Sequence, residues 1–185
     1  EGFIVRNALR NKRRAALSVL SVAASLFLFV TLLVALREIT VPAEDLGSSL
    51  RIAVRNRVSI ATPLPARQRA VLERIPGVAA VTPFTYFGGL YRNEKFTTFA
   101  QFAVDPAAFT NVFLDARIPS ERLAAWMKDR ASCVVGVDTM KRYGLELGDP
   151  MKLTGTFWPC DLDLKIVGVF EGTLDDRSVY YHQKY

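Results

Sequence analysis

Histidine is nearly absent from this chain, with one residue, His182, among 185. A single imidazole cannot assemble a metal cluster. No nucleophile motif accompanies it, so His182 reads as a surface residue rather than a base. No stretch spells GxxxxGK(S/T), which excludes a phosphate-cradling loop for ATP. Gly88-Gly89 is only a pair within a strand, expected as a bulge or close backbone approach. Asp161 and Asp163 straddle a strand start and face solvent, and Asp175-Asp176-Arg177 reads as a turn. Carboxylates so placed show no cleft for acid–base work. The chain is therefore read as a non-enzyme with no cofactor and no metal. Low-complexity tracts and internal repeats are also lacking. Long apolar runs are scarce too: there is one.

That run is Ala15 to Leu36, 22 residues without a charge. As a helix rising about 1.5 Å per residue it reaches roughly 33 Å, enough to cross a hydrocarbon core of about 30 Å. The net charge of +6 suggests nucleic acid, but its distribution argues otherwise. Residues 1–14 hold five cations, Arg6, Arg10, Lys12, Arg13 and Arg14, against Glu1. Residues 37–185 hold 19 Lys or Arg and 17 Asp or Glu, close to neutral. The excess sits against the apolar run, where Lys and Arg fix orientation. Residues 1–14 are thus read as a cytoplasmic basic interfacial segment, 15–36 as a transmembrane helix, and 37–185 as an extracytoplasmic domain. Phe3, Ile4, Ala8 and Leu9, opposed by Arg6, Arg10 and Arg13, suit a short helix lying in the lipid interface.

A cleaved signal peptide is the alternative for this opening. Its apolar region usually spans about 7 to 15 residues, fewer than here. Val41-Pro42-Ala43 offers small residues for cleavage, but Arg37 and Glu38 separate it from the run. Beginning at Glu1 rather than Met and ending at Tyr185 without a terminal signal, the chain reads as a piece of a longer protein.

Within the run, Ser18, Ser21 and Ser25 fall on one helical face. Small and hydroxyl residues on one face allow close helix packing in lipid. The alternative is that each hydroxyl bonds back to its own helix.

The rest alternates strand and helix signals. Residues 51–60 alternate apolar and basic, predicting a half-buried strand. Residues 66–75 read as a helix stopped by Pro76-Gly77. Residues 78–92 and 96–104, aromatic and β-branched, predict a hairpin turning at Asn93-Glu94. Asp105-Pro106 opens a short helix. Ser120 to Arg130 is another, with Leu123, Trp126 and Met127 as its core face. Residues 132–137 form a short strand, and Asp138 caps a helix that Gly144 ends. Residues 151–157, 162–170 and 178–181 complete the strands. The fold class is α+β: one N-terminal transmembrane helix followed by a mixed, mostly antiparallel α+β extracytoplasmic domain.

Two features carry the candidate contacts. Cys133 and Cys160 lie on the side predicted to be oxidising, so a disulfide between them is expected, with two separate buried thiols as the alternative. It would stabilise by roughly 3 to 4 kcal/mol in the chain-entropy model. Aromatics cluster in the predicted hairpin, and alternate members fill the core. Of the rest, Tyr91 and Trp158 are the candidates for contact with a client or a partner protomer.

Several motifs resemble one family. Val134-Val135-Gly136, Leu145-Glu146-Leu147-Gly148-Asp149 and Ile166-Val167-Gly168-Val169 resemble the late part of the extracytoplasmic core of MacB-like/FtsX-like ABC-transporter permeases. Ile75-Pro76-Gly77-Val78 and Val81-Thr82-Pro83 resemble its early part. Asn7 to Arg14 resembles the family's basic approach to its first membrane helix. The resemblance implies a bacterial inner-membrane location with the later domain in the periplasm. It also implies three further membrane helices, a second permease protomer and a cytoplasmic ABC ATPase as partner. Hydrolysis inside would be converted to movement outside, acting on an extracytoplasmic substrate or adaptor such as a lipoprotein or peptide. The outer domain is shorter than that of the MacB-type exporters, which carry an extra subdomain. A single-span anchored sensor or interaction domain without transport is the alternative function.

Overall fold

The computed structural model describes residues 11–40, 50–58, 62–92 and 94–185. The chain divides into two compact units, Glu1–Glu44 and Asp45–Tyr185.

Within the first unit, the described residues form one helix, α1 (Lys12–Thr40). It extends past the uncharged run at both ends and buries no side chain. By length and composition α1 is able to cross a membrane.

The second unit is built on a seven-stranded mixed sheet. Its elements run α2 (Arg67–Leu72), β1 (Thr85–Tyr86), β2 (Leu90–Tyr91), β3 (Gln101–Val104), α3 (Pro106–Val112), α4 (Ser120–Lys128), β4 (Ser132–Gly136), α5 (Val137–Tyr143), β5 (Pro150–Thr154), β6 (Asp161–Phe170) and β7 (Val179–His182). Across the sheet the order is β1-β3-β7-β4-β6-β5-β2. The β3–β7 and β4–β6 pairs are parallel, and the other four pairs are antiparallel.

This order forces the sheet to curl. Strands β1 and β2 lie at opposite edges. In a flat sheet six spacings of about 4.8 Å would separate them by about 29 Å. Yet Tyr86 and Leu90 are four residues apart, a reach of at most about 14 Å. The edges therefore approach each other, and residues 86–90 bridge them. Gly88 makes the bridge feasible with φ +68°, and a Cβ there would sit 2.7 Å from the Tyr86 ring. Buried Gln101 fastens the same bridge, accepting from Gly89 N at 2.7 Å and donating to Gly89 O at 3.1 Å.

Two apolar layers hold this sheet. One face gathers Phe87, Cys133, Val135, Met151, Leu153, Leu164, Ile166 and Tyr181. The other gathers Val104, Phe109, Phe113, Trp126, Val134, Phe170 and Tyr180, contributed in part by α3 and α4. Strand β4 is buried on both faces, which is why Ser132–Gly136 reads as a continuous rather than alternating run. The register shifts between Cys133 and Val134, which pair with Ile166 and Gly168. This bulge reverses the phase of β6, so Ile166 and Phe170 enter different layers although they share parity. At Gly168 a Cβ would lie 3.2 Å from the Arg122 Cβ, so the missing side chain lets α4 sit close.

Several sequence expectations need correction. Residues 51–58 form no strand, and Ile52 is 86% exposed, because among the described residues no partner strand lies beside them; 59–61 lie outside the described residues. The 78–92 and 96–104 hairpin pairs only at β1 with β3, while β2 leaves to pair with β5. Its turn residue Asn93 is outside the described residues. Asp138 is in the first turn of α5 rather than its cap, which is Gly136; Gly144 does end the helix, at φ +59°. On α4, Trp126 is fully buried but Met127 is 48% exposed, since the short helix turns only one face to the sheet. The helix expected to open at Asp105-Pro106 does so, and Asp105 is its cap, accepting from Ala107 N.

Candidate functional site

The candidate contact surface begins with chain geometry at the β5–β6 connection. After Thr154 the residues Gly155-Thr156-Phe157-Trp158-Pro159-Cys160 must reverse direction before Asp161. Pro159 removes a backbone donor and fixes φ, which favours a turn. Cys160 N donates to Trp158 O at 2.8 Å, and Gly155 N donates to Asp161 Oδ1 at 3.2 Å. These bonds close the loop on itself. Two more tie it to the edge bridge: Thr156 Oγ1 donates to Gly88 O at 2.5 Å, and Trp158 Nε1 donates to Tyr86 O at 3.1 Å.

The consequence is an aromatic ridge. Phe84 stacks on Phe102 at 4.0 Å between ring centroids. Tyr86 lies 5.7 Å from Phe102 and 6.2 Å from Phe157. Exposures are 50% for Phe84, 43% for Tyr86, 76% for Phe157 and 40% for Trp158. At about 200 Å² per aromatic side chain this exposes about 400 Å², the size of the largest patch on many monomers and large enough for function. The ridge is held from below by packing and hydrogen bonds, so its side chains are presented rather than free.

Of the two candidates, Trp158 lies exposed on this ridge and Tyr91 does not. Tyr91 is 5% exposed and packs edge-on against Phe99 and Tyr143. Strand alternation explains the error: β2 pairs with β5 in a register that turns Tyr91 to the core. Phe84 and Tyr86 belong to the aromatic cluster that the sequence shows, whereas Phe157 is a member of the ridge that the sequence reading does not name. The adjacent aromatics Phe157-Trp158 before Pro159 were the available signal, since a turn cannot bury both.

The cysteines are likewise separated. Cys133 is a free, fully buried thiol and Cys160 a free, exposed one. Cys133 lies beside Ile166 in the β4–β6 ladder, and Cys160 precedes Asp161, where β6 begins. Five extended residues from 161 to 166 span about 16 Å, far beyond the roughly 7 Å limit between bridged Cα atoms. The expected disulfide is not formed. Burial pushes the Cys133 thiol well above the usual range, which leaves it inert.

His182 is not on the surface but at the end of β7, 8% exposed. Its Nδ1 accepts from Lys184 N at 3.0 Å. Burial lowers its pKa, with a smaller opposing pull from Asp105. Among the described residues no group of three or more His, Cys, Asp or Glu could hold a metal ion.

On α1, Ser18, Ser21 and Ser25 are exposed. Ser25 Oγ donates to Ser21 O at 3.0 Å, the local bond that satisfies a hydroxyl in lipid. Lys12, Arg13 and Arg14 occupy the first turn of the helix, while Arg6, Arg10 and the expected interfacial helix lie outside the described residues.

The family model described as the MacB-like periplasmic core domain matches residues 15–185. Among solved structures, the chain is similar to a domain of a protein assigned as a permease from Porphyromonas gingivalis. Identity there is 20%, with 62% of this chain and 55% of that chain covered and a TM-score of 0.43. It is also similar to the periplasmic region of MacB from Actinobacillus actinomycetemcomitans. Identity there is 14%, with 76% and 61% covered and a TM-score of 0.45. The chain therefore spans little more than half the length of these two solved chains. Among curated proteins no relative matches.

Proposed function

Because this chain belongs to the MacB-like periplasmic core domain family, we propose that it supplies the first membrane helix and the outer domain of an ABC-transporter permease. In this reading residues 1–14 are cytoplasmic, 15–36 cross the membrane and 37–185 lie in the periplasm. A cytoplasmic ATPase subunit hydrolyses ATP, and the permease, paired with a second protomer, passes the resulting movement to the outer domain. That domain displaces an extracytoplasmic substrate such as a lipoprotein or peptide.

The observation that carries the reading is the continuous family match from residue 15 through residue 185, which takes in both the apolar helix and the folded unit. The charge pattern supports the orientation, with five cations in residues 1–14 before the apolar run and a nearly neutral domain after it. The ridge of Tyr86, Phe157 and Trp158 supports contact with an apolar client or partner, because its aromatics are fixed but uncovered. The serine face of the helix serves packing against other membrane helices.

The test begins with the full-length protein captured from membranes in mild detergent. Co-purification of an ATPase carrying a phosphate-binding loop, with ATP hydrolysis raised by a candidate lipoprotein or peptide, is the expected result. Trp158→Asp should then reduce the stimulated hydrolysis and leave the basal rate unchanged. A protein that purifies without any ATPase, or a complex indifferent to Trp158, would refute the respective parts.

A further inference from the structure

The stretch 50–58 lies at the start of the second unit and forms neither helix nor strand. Its apolar side chains are uncovered: Leu50, Ile52 and Val58 are each more than three-quarters exposed, and none joins either apolar layer. Hydrophobic burial therefore does not fix this stretch to the sheet.

One side chain behaves differently. Arg51 Nη2 donates to Asp115 Oδ2 at 2.8 Å, and its guanidinium lies 4.4 Å from the centre of the Phe113 ring. Among the described residues of 50–58, only Arg51 pairs with a side chain outside the stretch. The Asp115 side chain is 4% exposed, and its second oxygen, Oδ1, has no hydrogen-bond partner in the structure. Its carboxylate is buried, and Arg51 supplies its one charge-assisted bond. Removing the guanidinium strands a buried anion, the costliest way to break such a pair. Lysine restores the charge but not the planar stacking on Phe113.

The catch is joined to the centre of the unit. Phe113 packs with Phe109 and Tyr180 in the second apolar layer. Two residues past Asp115, Arg117 N donates to Glu171 O at 2.9 Å, next to the end of β6.

We infer that Arg51 is the latch that fastens the stretch 50–58 to the folded unit, with Asp115 and Phe113 as its catch. Displacement of the membrane helix, carried along the covalent chain, enters the unit at this point. The transport role rests on the permease reading above; the latch itself does not.

The test is electron paramagnetic resonance on the full chain in lipid nanodiscs, with Cys160→Ser background and one spin label on Ile52→Cys. Wild-type Arg51 should give a slow-motion component. Arg51→Ala and Asp115→Ala should lose it, and Arg51→Lys should retain part of it. Near-ultraviolet circular dichroism checks that the unit stays folded. Arg51→Gln, which keeps the stem and a neutral donor, replaces any variant that does not fold and should also lose much of the slow component. A slow component undiminished in a folded Arg51→Ala or Arg51→Gln protein would overturn the latch. In the ATPase complex, Arg51→Gln should uncouple stimulated hydrolysis. If the label is freed and hydrolysis stays coupled, the force-entry role fails and the permease reading stands. A wild-type chain with no ATPase partner would remove the permease reading and leave the latch intact.

Discussion

The sharpest perturbation available is a single methyl group at Gly136. This residue ends β4 and caps α5, and the turn at Asp175–Arg177 passes directly over it. A Cβ at Gly136 would lie 2.0 Å from the Asp176 carbonyl oxygen and 3.0 Å from Arg177 N. Ordinary contact begins near 3.4 Å, so backbone must move by about 1.4 Å. Two hydrogen bonds hold that backbone in place, Gly136 N to Ser178 O at 3.0 Å and Asp138 N to Asp176 O at 3.1 Å. Losing both costs about 2 kcal/mol, and overpacking adds about 1 to 3 kcal/mol, giving about 3 to 5 kcal/mol for Gly136→Ala. At a urea slope on the order of 1.5 kcal/mol per molar, the midpoint falls by roughly 2 to 3 M. Tryptophan fluorescence of the full chain in detergent reads this directly, because both tryptophans, Trp126 and Trp158, belong to the second unit. Gly144→Ala is the control. A Cβ there meets nothing within 4 Å, and only the positive φ of +59° opposes it, a cost of about 1 to 2 kcal/mol. A Gly136→Ala midpoint shift no larger than that of Gly144→Ala would refute the steric reasoning.

Other predictions follow from the same geometry. A membrane-impermeant maleimide added to intact spheroplasts should label Cys160 and spare Cys133 until denaturant is added; protection of Cys160 until lysis would reverse the proposed orientation. Burial holds the His182 pKa below its unfolded value near 6.5, so the unfolded chain binds the extra proton first. Stability is then fully present above about pH 6.5 and declines as pH falls through the depressed folded value. His182→Gln should flatten that decline in urea midpoints measured between pH 7 and 5, and an unchanged slope would count against it. The Glu94 carboxylate accepts from Thr98 Oγ1 and Tyr143 Oη, both at 2.7 Å, which lowers its pKa. Tyr143→Phe should cost on the order of 1 kcal/mol in chemical unfolding, because water reaches the Glu94 carboxylate and replaces much of the lost bond; an unchanged midpoint would count against the pair.

Some of this protein was written in the order of residues alone. The long N-terminal helix, able by length and composition to cross a membrane, needed only an uninterrupted apolar run, because length against bilayer thickness is a one-dimensional comparison. The helix start at Asp105-Pro106 and the helix end at Gly144 are equally local, each set by the stereochemistry of one or two residues. Likewise β4 and β6 showed themselves as apolar runs because burial on two faces, or on one, leaves a direct periodic trace. What the tertiary structure decided is everything that depends on which strand lies beside which. Periodicity assigned residues 51–60 to a strand, but a strand exists only with a partner, and residues 51–58 have none among the described residues. Pairing of β2 with β5 rather than with β3 buried Tyr91 and curled the sheet. The β4–β6 register set Cys133 and Cys160 too far apart to bridge. Even the ridge at Trp158 needed residues 86–90 to cross from one edge of the sheet to the other. Pairing partners and register are relations between distant positions, and no local pattern of side chains encodes them.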